Sequence, residues 1–197
     1  MTQAAQRQKR IFDLLIAILG LLVFGWLILL LALIAFFDTG KSGFFYQTRI
    51  GKKAVPFQII KIRSLKSQKK AENISFPHHH HISLYGKFLR KTKLDELPQL
   101  WNVLVGEMSL VGPRPDLPGF ADKLKGNDRQ LLTLRPGLTG PATLKFRNED
   151  AILATQPDPE TYNREILWPE KVRINLQYLH NYSFQTDLQI LFTTLFG

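Results

Sequence analysis

The chain has 197 residues, a formal net charge of +10 and no cysteine. This length suits one domain with a sizeable core and an appended segment, and the lack of thiols excludes disulfides and thiolate-bound metals. The basic surplus is local: residues 1–70 hold twelve Lys and Arg against two acids, while residues 71–197 hold fourteen of each sign. Cations concentrated beside an apolar segment suit a chain lying against anionic lipid, where each adds about 1 kcal/mol close to the surface. No nucleic-acid-binding motif accompanies them, so no nucleic-acid partner is expected.

The first predicted element is that apolar segment. From Leu14 to Phe37 the chain runs 24 residues without a charge, and a bilayer core needs about 20 residues of helix. A cleaved signal peptide has a shorter apolar region followed by small residues, and "FFDTGK" offers no such site. The segment reads as a permanent membrane element, which divides the chain into a membrane helix at 1–38 and a second unit at 39–197. Its flanks are balanced: Arg7, Lys9 and Arg10 precede it, and Lys41, Arg49, Lys52 and Lys53 follow. A simple span biases its cations to one side. Balanced flanks fit a helix that enters, bends near Gly25 and returns; an ordinary signal anchor is the alternative.

Next, "GKSGFFYQTRIGKKAVPFQIIKIRSL" (40–65) predicts two strands, from Phe44 and from Pro56 to Arg63, around a tight turn at Gly51. Lys61 and Arg63 alternate with Ile60 and Ile62 and so project from one sheet face. They are candidate substrate contacts, or simply a solvated face. Residues 66–83 are polar. The four histidines at 78–81 do not make a metal site, because neighbours on one stretch cannot converge on one ion and no carboxylate spacing completes the set.

Leu94, Leu97, Leu100, Trp101 and Leu104 recur at helical spacing, and Pro98 is tolerated only in a first turn. That places Asp95 near the N-cap and Glu96 in the first turn. Capping alone is worth about 1 kcal/mol, but it leaves Glu96 and the upstream cations Arg90, Lys91 and Lys93 unexplained. Cations feeding a helix N-terminus predict an anion site. In "VGPRPD" (111–116), Arg114 lies between two prolines that restrict its backbone and suit it to bidentate phosphate recognition. Arg135 before a Pro-Gly turn, and Arg147 after it, repeat the idea. Ile190, Leu191, Phe192, Leu195 and Phe196 close the chain on an amphipathic helix suited to resting on a membrane.

At "LRKTKLDELPQLWNVLVGEMSLVGPRP" the sequence resembles the bacterial sugar transferase family, the small monotopic phosphoglycosyl transferases that initiate lipid-linked glycan assembly. The likeness extends from "KRIFDLLIA" (9–17) through "QTRIGKKAVPFQIIKIRS" (47–64) to "RPGLTG" (135–140) and "DLQILFTT" (187–194). The resemblance implies a membrane-associated α+β fold with a re-entrant N-terminal helix, a small β-hairpin and a mainly helical catalytic domain with interfacial amphipathic helices. It implies transfer of a sugar 1-phosphate from a UDP-sugar to polyprenyl (undecaprenyl) phosphate, releasing UMP. Asp95 is then the covalently phosphorylated nucleophile, and Glu96 assists through Mg2+ or proton transfer. Arg90, Arg114 and Lys61 contact phosphate or nucleotide. The location implied is the cytoplasmic face of a bacterial inner membrane, with anionic lipids and downstream glycosyltransferases as further partners.

The chain departs from that family in several places. "FGWL" stands where a Ser-Pro break is expected, "KSG" (41–43) replaces a Gly-Pro turn, Lys93 stands for a serine and Asn175 for an aspartate. "TGPATLKFRNEDAIL" also differs from the commoner form, which points to a subgroup and leaves the sugar unread. A membrane-anchored scaffold, and a nucleotide-sugar hydrolase using the same carboxylate, are the rival expectations.

Overall fold

The computed structural model describes residues 1–66 and 82–197; the four histidines at 78–81 lie outside the described residues. The apolar segment forms helix α1, Gln3–Thr39. Thr2 caps its start by accepting the Ala5 N–H, and Gly40 ends it in the left-handed conformation, φ 67°, returning its N–H to the Phe36 carbonyl. The helix is unbroken through Gly25, so no bend is needed to bring its two ends to one domain.

Two stripes run the length of α1. Lys9, Asp13, Ala17, Ile28, Leu31, Ala32 and Ala35 are buried against the rest of the chain. Ile11, Leu15, Leu19, Leu22, Trp26, Leu29, Leu33 and Phe37 recur every third or fourth residue on the other side and are exposed. Polar ties hold both ends. Near the start, Arg10 donates to the carbonyls of Val103 (2.6 Å) and Leu104 (2.9 Å), and Asp13 accepts the Leu110 N–H. Near the end, the Tyr85 hydroxyl donates to the Leu31 carbonyl, and Asp38 accepts from Ser83 and pairs with Lys66. Gly43 packs so closely on α1 that a Cβ there would lie 1.9 Å from the Ala32 carbonyl oxygen. Only glycine fits that approach.

Strands β1 (Phe44–Ile50) and β2 (Pro56–Ile62) form the expected antiparallel hairpin, with Phe45 opposite Lys61 and Arg49 opposite Phe57. Directly opposed residues share a sheet face, and here that face buries Phe57 and Ile59 in the core. Helix α2 (Leu84–Thr92) follows, then a 3-10 turn over Leu94–Glu96, then the short helix α3, Gln99–Val105. Strands β3 (Ser109–Val111) and β4 (Gly137–Thr139) pair in parallel, an element the sequence did not announce. Helices α4 (Pro141–Lys145), α5 (Glu149–Ala154), α6 (Pro159–Tyr162), α7 (Trp168–His180) and α8 (Phe184–Phe196) complete the chain. The result is the expected α+β architecture: an apolar helix, a small hairpin and a mainly helical remainder. In α8, Ile190 is buried while Phe192, Leu195 and Phe196 are exposed, as an amphipathic helix requires.

One core gathers Phe57, Ile59, Leu100, Val103, Met108, Leu110, Val172 and Ile190 around Ala17 of α1. Asn102, buried at its centre, locks α3 to β2: its side-chain amide donates to the Gln58 carbonyl and to Glu107, and its oxygen accepts the Ile60 N–H. This bond set sets the distance between the strand carrying Lys61 and the turn carrying Glu96. Asn102→Ala strands a backbone donor and acceptor, at about 1–3 kcal/mol for each group left unmade. It is expected to lower the melting temperature in detergent by several degrees. An unchanged melting curve would show that α3 is positioned by packing alone.

Candidate active site

Pro98 decides the local backbone around the two carboxylates. It has no N–H for an α-helical bond, so the chain tightens into bonds three residues apart, from Glu96 N–H to the Lys93 carbonyl and from Leu97 N–H to the Leu94 carbonyl. Helix α3 therefore starts at Gln99, three residues later than the apolar spacing suggests, with Pro98 at its N-cap and no side-chain cap. Asp95 is not a cap. It is 7% exposed, and its buried Oδ1 has no hydrogen-bond partner among the described residues. A helix of seven residues contributes little field, so side-chain cations set the potential here.

Those cations divide the pair. Glu96 Oε1 lies 2.7 Å from Lys61 Nζ and 3.7 Å from Arg114. Burial pushes the Glu96 carboxyl up, but Lys61 and then Arg114 outweigh it and hold the group below the usual range. For Asp95, burial and the neighbouring Glu96 charge prevail over Lys61, Lys93 and Arg90, and its carboxyl is held above the usual range. One carboxylate is thus ion-paired and settled, and the other is buried, unpaired and more basic.

A pocket opens onto Glu96, lined also by Arg49, Lys61, Gln99, Arg114 and Leu138, and Asp95 lies behind Glu96 outside that lining. Arg114 keeps about half its side chain exposed between its prolines, at 49%. Arg90 anchors its Nε on Ser64 Oγ at 3.0 Å and reaches Asp95 through charge. Three other candidates lie apart from the pocket lining. Arg63 donates to the Ser42 and Phe44 carbonyls and stacks over Phe45. Arg135 donates to the Gly106 carbonyl and lines a second pocket. Arg147 binds the Thr193 and Gly197 carbonyls at the end of α8.

Sequence reasoning passed over Arg49 and Gln99. Arg49 donates to Gln47 and the Pro115 carbonyl, leaving its buried Nε without a partner among the described residues. Its position directly after Gln47 on one strand face was the available signal. Asp116, half-buried beside this group, is lifted by burial to about 7 although Lys171 and Arg49 oppose the shift.

Cations, a paired glutamate and an unpaired buried aspartate form a site for phosphoryl chemistry, and the comparisons with known proteins agree. Residues 4–197 match the model of the bacterial sugar transferase family. The chain belongs to the bacterial sugar transferase family. The transferase is 33% identical over 187 residues to the uncharacterized sugar transferase EpsL of Bacillus subtilis (strain 168), covering 95% of this chain and 85% of that one. It is 31% identical over 197 residues to the UDP-glucose:undecaprenyl-phosphate glucose-1-phosphate transferase of Caulobacter vibrioides, covering 98% of this chain and 70% of that one. It is 32% identical over 200 residues to the galactosyl transferase CpsE of Streptococcus agalactiae, of which it spans 41%. Family membership and the long apolar helix together associate the transferase with a membrane.

The electrostatics give a directional pH test. A carboxyl attacks phosphorus only when ionised, and Lys61 lowers the carboxyls of both Asp95 and Glu96. Lys61→Met removes that pull, so both carboxyls rise further and the acid limb of kcat/KM is expected to move to higher pH. An acid limb that stays in place would show that Asp95 ionisation does not control the rate.

Proposed function

We propose that the transferase moves a sugar 1-phosphate from a UDP-sugar to polyprenyl phosphate through a covalent intermediate on Asp95. The observation that carries this reading is the contrast within the dyad: Asp95 is buried with an unpartnered oxygen, while Glu96 beside it is tied to Lys61 and Arg114. In the first step an Asp95 carboxylate oxygen attacks the sugar-bearing phosphorus, the phosphoanhydride bond breaks and UMP leaves. In the second, an oxygen of the lipid phosphate attacks the same phosphorus and Asp95 is released as carboxylate. Arg114, Lys61 and Arg49 neutralise the phosphoryl oxygens in both steps.

Mg2+ fits the donor set. Two adjacent carboxylates without a surrounding cage suit an ion that keeps waters and takes much of its coordination from substrate phosphates. Glu96, with the substrate diphosphate, would hold it, and the bound ion would withdraw charge from the transferring phosphoryl group. The names of the relatives support this donor and acceptor chemistry, since one is a UDP-glucose:undecaprenyl-phosphate transferase. The exposed apolar stripe of α1 favours a lipid acceptor over water, against the hydrolase alternative. A scaffold would have no use for a buried carboxylate without a partner.

Asn in place of Asp95 keeps the shape and removes the nucleophile. With UDP-sugar and no lipid, intact-mass measurement is expected to show a sugar-phosphate adduct on the wild type and none on D95N, and polyprenyl phosphate should discharge it. Turnover by D95N should fall by at least about a thousandfold, as losing a triad nucleophile does elsewhere. Ordinary D95N activity, or an adduct on Glu96, refutes the assignment.

We place the 39–197 unit on the cytoplasmic face, where nucleotide sugars are made, with 1–38 as the membrane element. Both ends of α1 are tied to the same domain, which supports a monotopic arrangement. The chain has no cysteine of its own, so Gln3→Cys and Ser42→Cys can be labelled singly. Both are expected to react from the cytoplasmic side; labelling on opposite sides would make α1 a span.

A further inference from the structure

The second pocket has a different chemistry from the first and shares no lining residue with it. Arg10, Lys52 and Arg135 line it from α1, the hairpin turn and the segment before β4, and all three are half-buried. Two of the guanidiniums are fixed in place: Arg10 spends both terminal nitrogens on the Val103 and Leu104 carbonyls, and Arg135 its Nε on the Gly106 carbonyl. The Lys52 ammonium makes no hydrogen bond or ion pair among the described residues; only its backbone carbonyl is engaged, by the Val55 N–H. Arg135 also works against its neighbours: after burial, its charge is the main influence pulling the Arg10 and Lys52 groups down.

Two acids bear on the cluster: Asp13 lines the pocket and its charge favours the Arg10 cation, and Asp187 lies just beyond. Asp187 is taken by Lys9 at 2.6 Å, and Asp13 accepts the Leu110 N–H. With Lys9 paired to Asp187, three cations face the single carboxylate of Asp13 in the lining; that positive excess forms a site for an anion, and fixed guanidiniums suit phosphate oxygens. The location narrows the class. Arg10 immediately precedes Ile11, where the exposed apolar stripe of α1 begins, so the pocket lies where a membrane-bound α1 meets the headgroup layer.

We infer that Arg10, Lys52 and Arg135 form a binding site for the headgroup phosphate of an anionic phospholipid, separate from the pocket lined by Glu96, Lys61 and Arg114. The separate lining makes this phosphate a resident and not the reacting group. The inference rests on membrane association and not on the transfer reaction, and its test uses no sugar substrate. It can therefore fail while the proposed reaction stands.

The test is native mass spectrometry of the full-length protein released from nanodiscs of phosphatidylcholine containing phosphatidylglycerol. The wild type is expected to retain phosphatidylglycerol in preference to phosphatidylcholine. The double variant Lys52→Gln and Arg135→Gln should lose about tenfold or more of it, while Lys52→Arg keeps it. Lys125→Gln removes a charge from an exposed residue elsewhere and should retain the lipid as wild type does. Equal loss in Lys125→Gln, equal retention of the two lipids by the wild type, or undiminished retention by the double variant overturns the inference. So does displacement of the lipid by an equal concentration of inorganic phosphate, which would mark a site for free anions. A double variant that melts well below Lys52→Arg is replaced by Lys52→Gln alone, for which loss of preference supports the site and wild-type retention refutes it.

Discussion

Lys9 and Asp187 stand 178 residues apart in sequence and 2.6 Å apart in space. Both are buried, and Asp187 also accepts hydrogen bonds from the hydroxyls of Tyr178 and Tyr182. Full satisfaction matters here, because breaking a buried pair by removing one partner costs about 3–5 kcal/mol. The pair closes the start of the chain onto its last helix and fixes the azimuth of α1. Once that is set, Arg10 falls against the end of α3, Asp13 against β3, and the apolar stripe faces outward. The turn bearing the two carboxylates hangs from α3, so the position of Asp95 and Glu96 traces back to this contact.

The dyad itself shows how one sequence step produces two chemistries. Successive residues in a tight turn point apart, and here one side chain meets Lys61 and Arg114 while the other meets no hydrogen-bond donor among the described residues. The difference in basicity comes from surroundings, since both groups carry the same function. Lys61 serves both: it pairs with Glu96 directly and acts on Asp95 at a distance. The strand that carries Lys61 is in turn held by Asn102, so a buried amide in the core governs the electrostatics of the pocket.

Much of this was legible in the sequence where local physics decides. The uncharged run announced α1, the aromatic and β-branched stretches announced β1 and β2, and the cation-rich flanks of "LDELPQLW" announced the cations that act on Asp95 and Glu96. Prolines on both sides of Arg114 foretold a guanidinium left partly exposed. Other features depended on distant partners. Arg135 and Arg147 follow the same local pattern as Arg114, yet carbonyls at Gly106 and at the end of α8 capture them. The pairing of β3 with β4 spans three residues each, too few for a period to show. Asp95 looked like a cap because periodicity ran through Pro98, where the backbone in fact changes its hydrogen-bond step.

A helix that crosses a bilayer must match its thickness, and a mismatch of even a few ångströms costs free energy through tilt or local thinning. Helix α1 is bound to its own domain near Arg10 and again near Leu31, so its angle is fixed by protein contacts and not by the lipid. Its apolar stripe needs only one layer of acyl chains to cover it. A transferase built this way can keep the turn bearing Asp95 and Glu96 at one height above membranes of very different thickness.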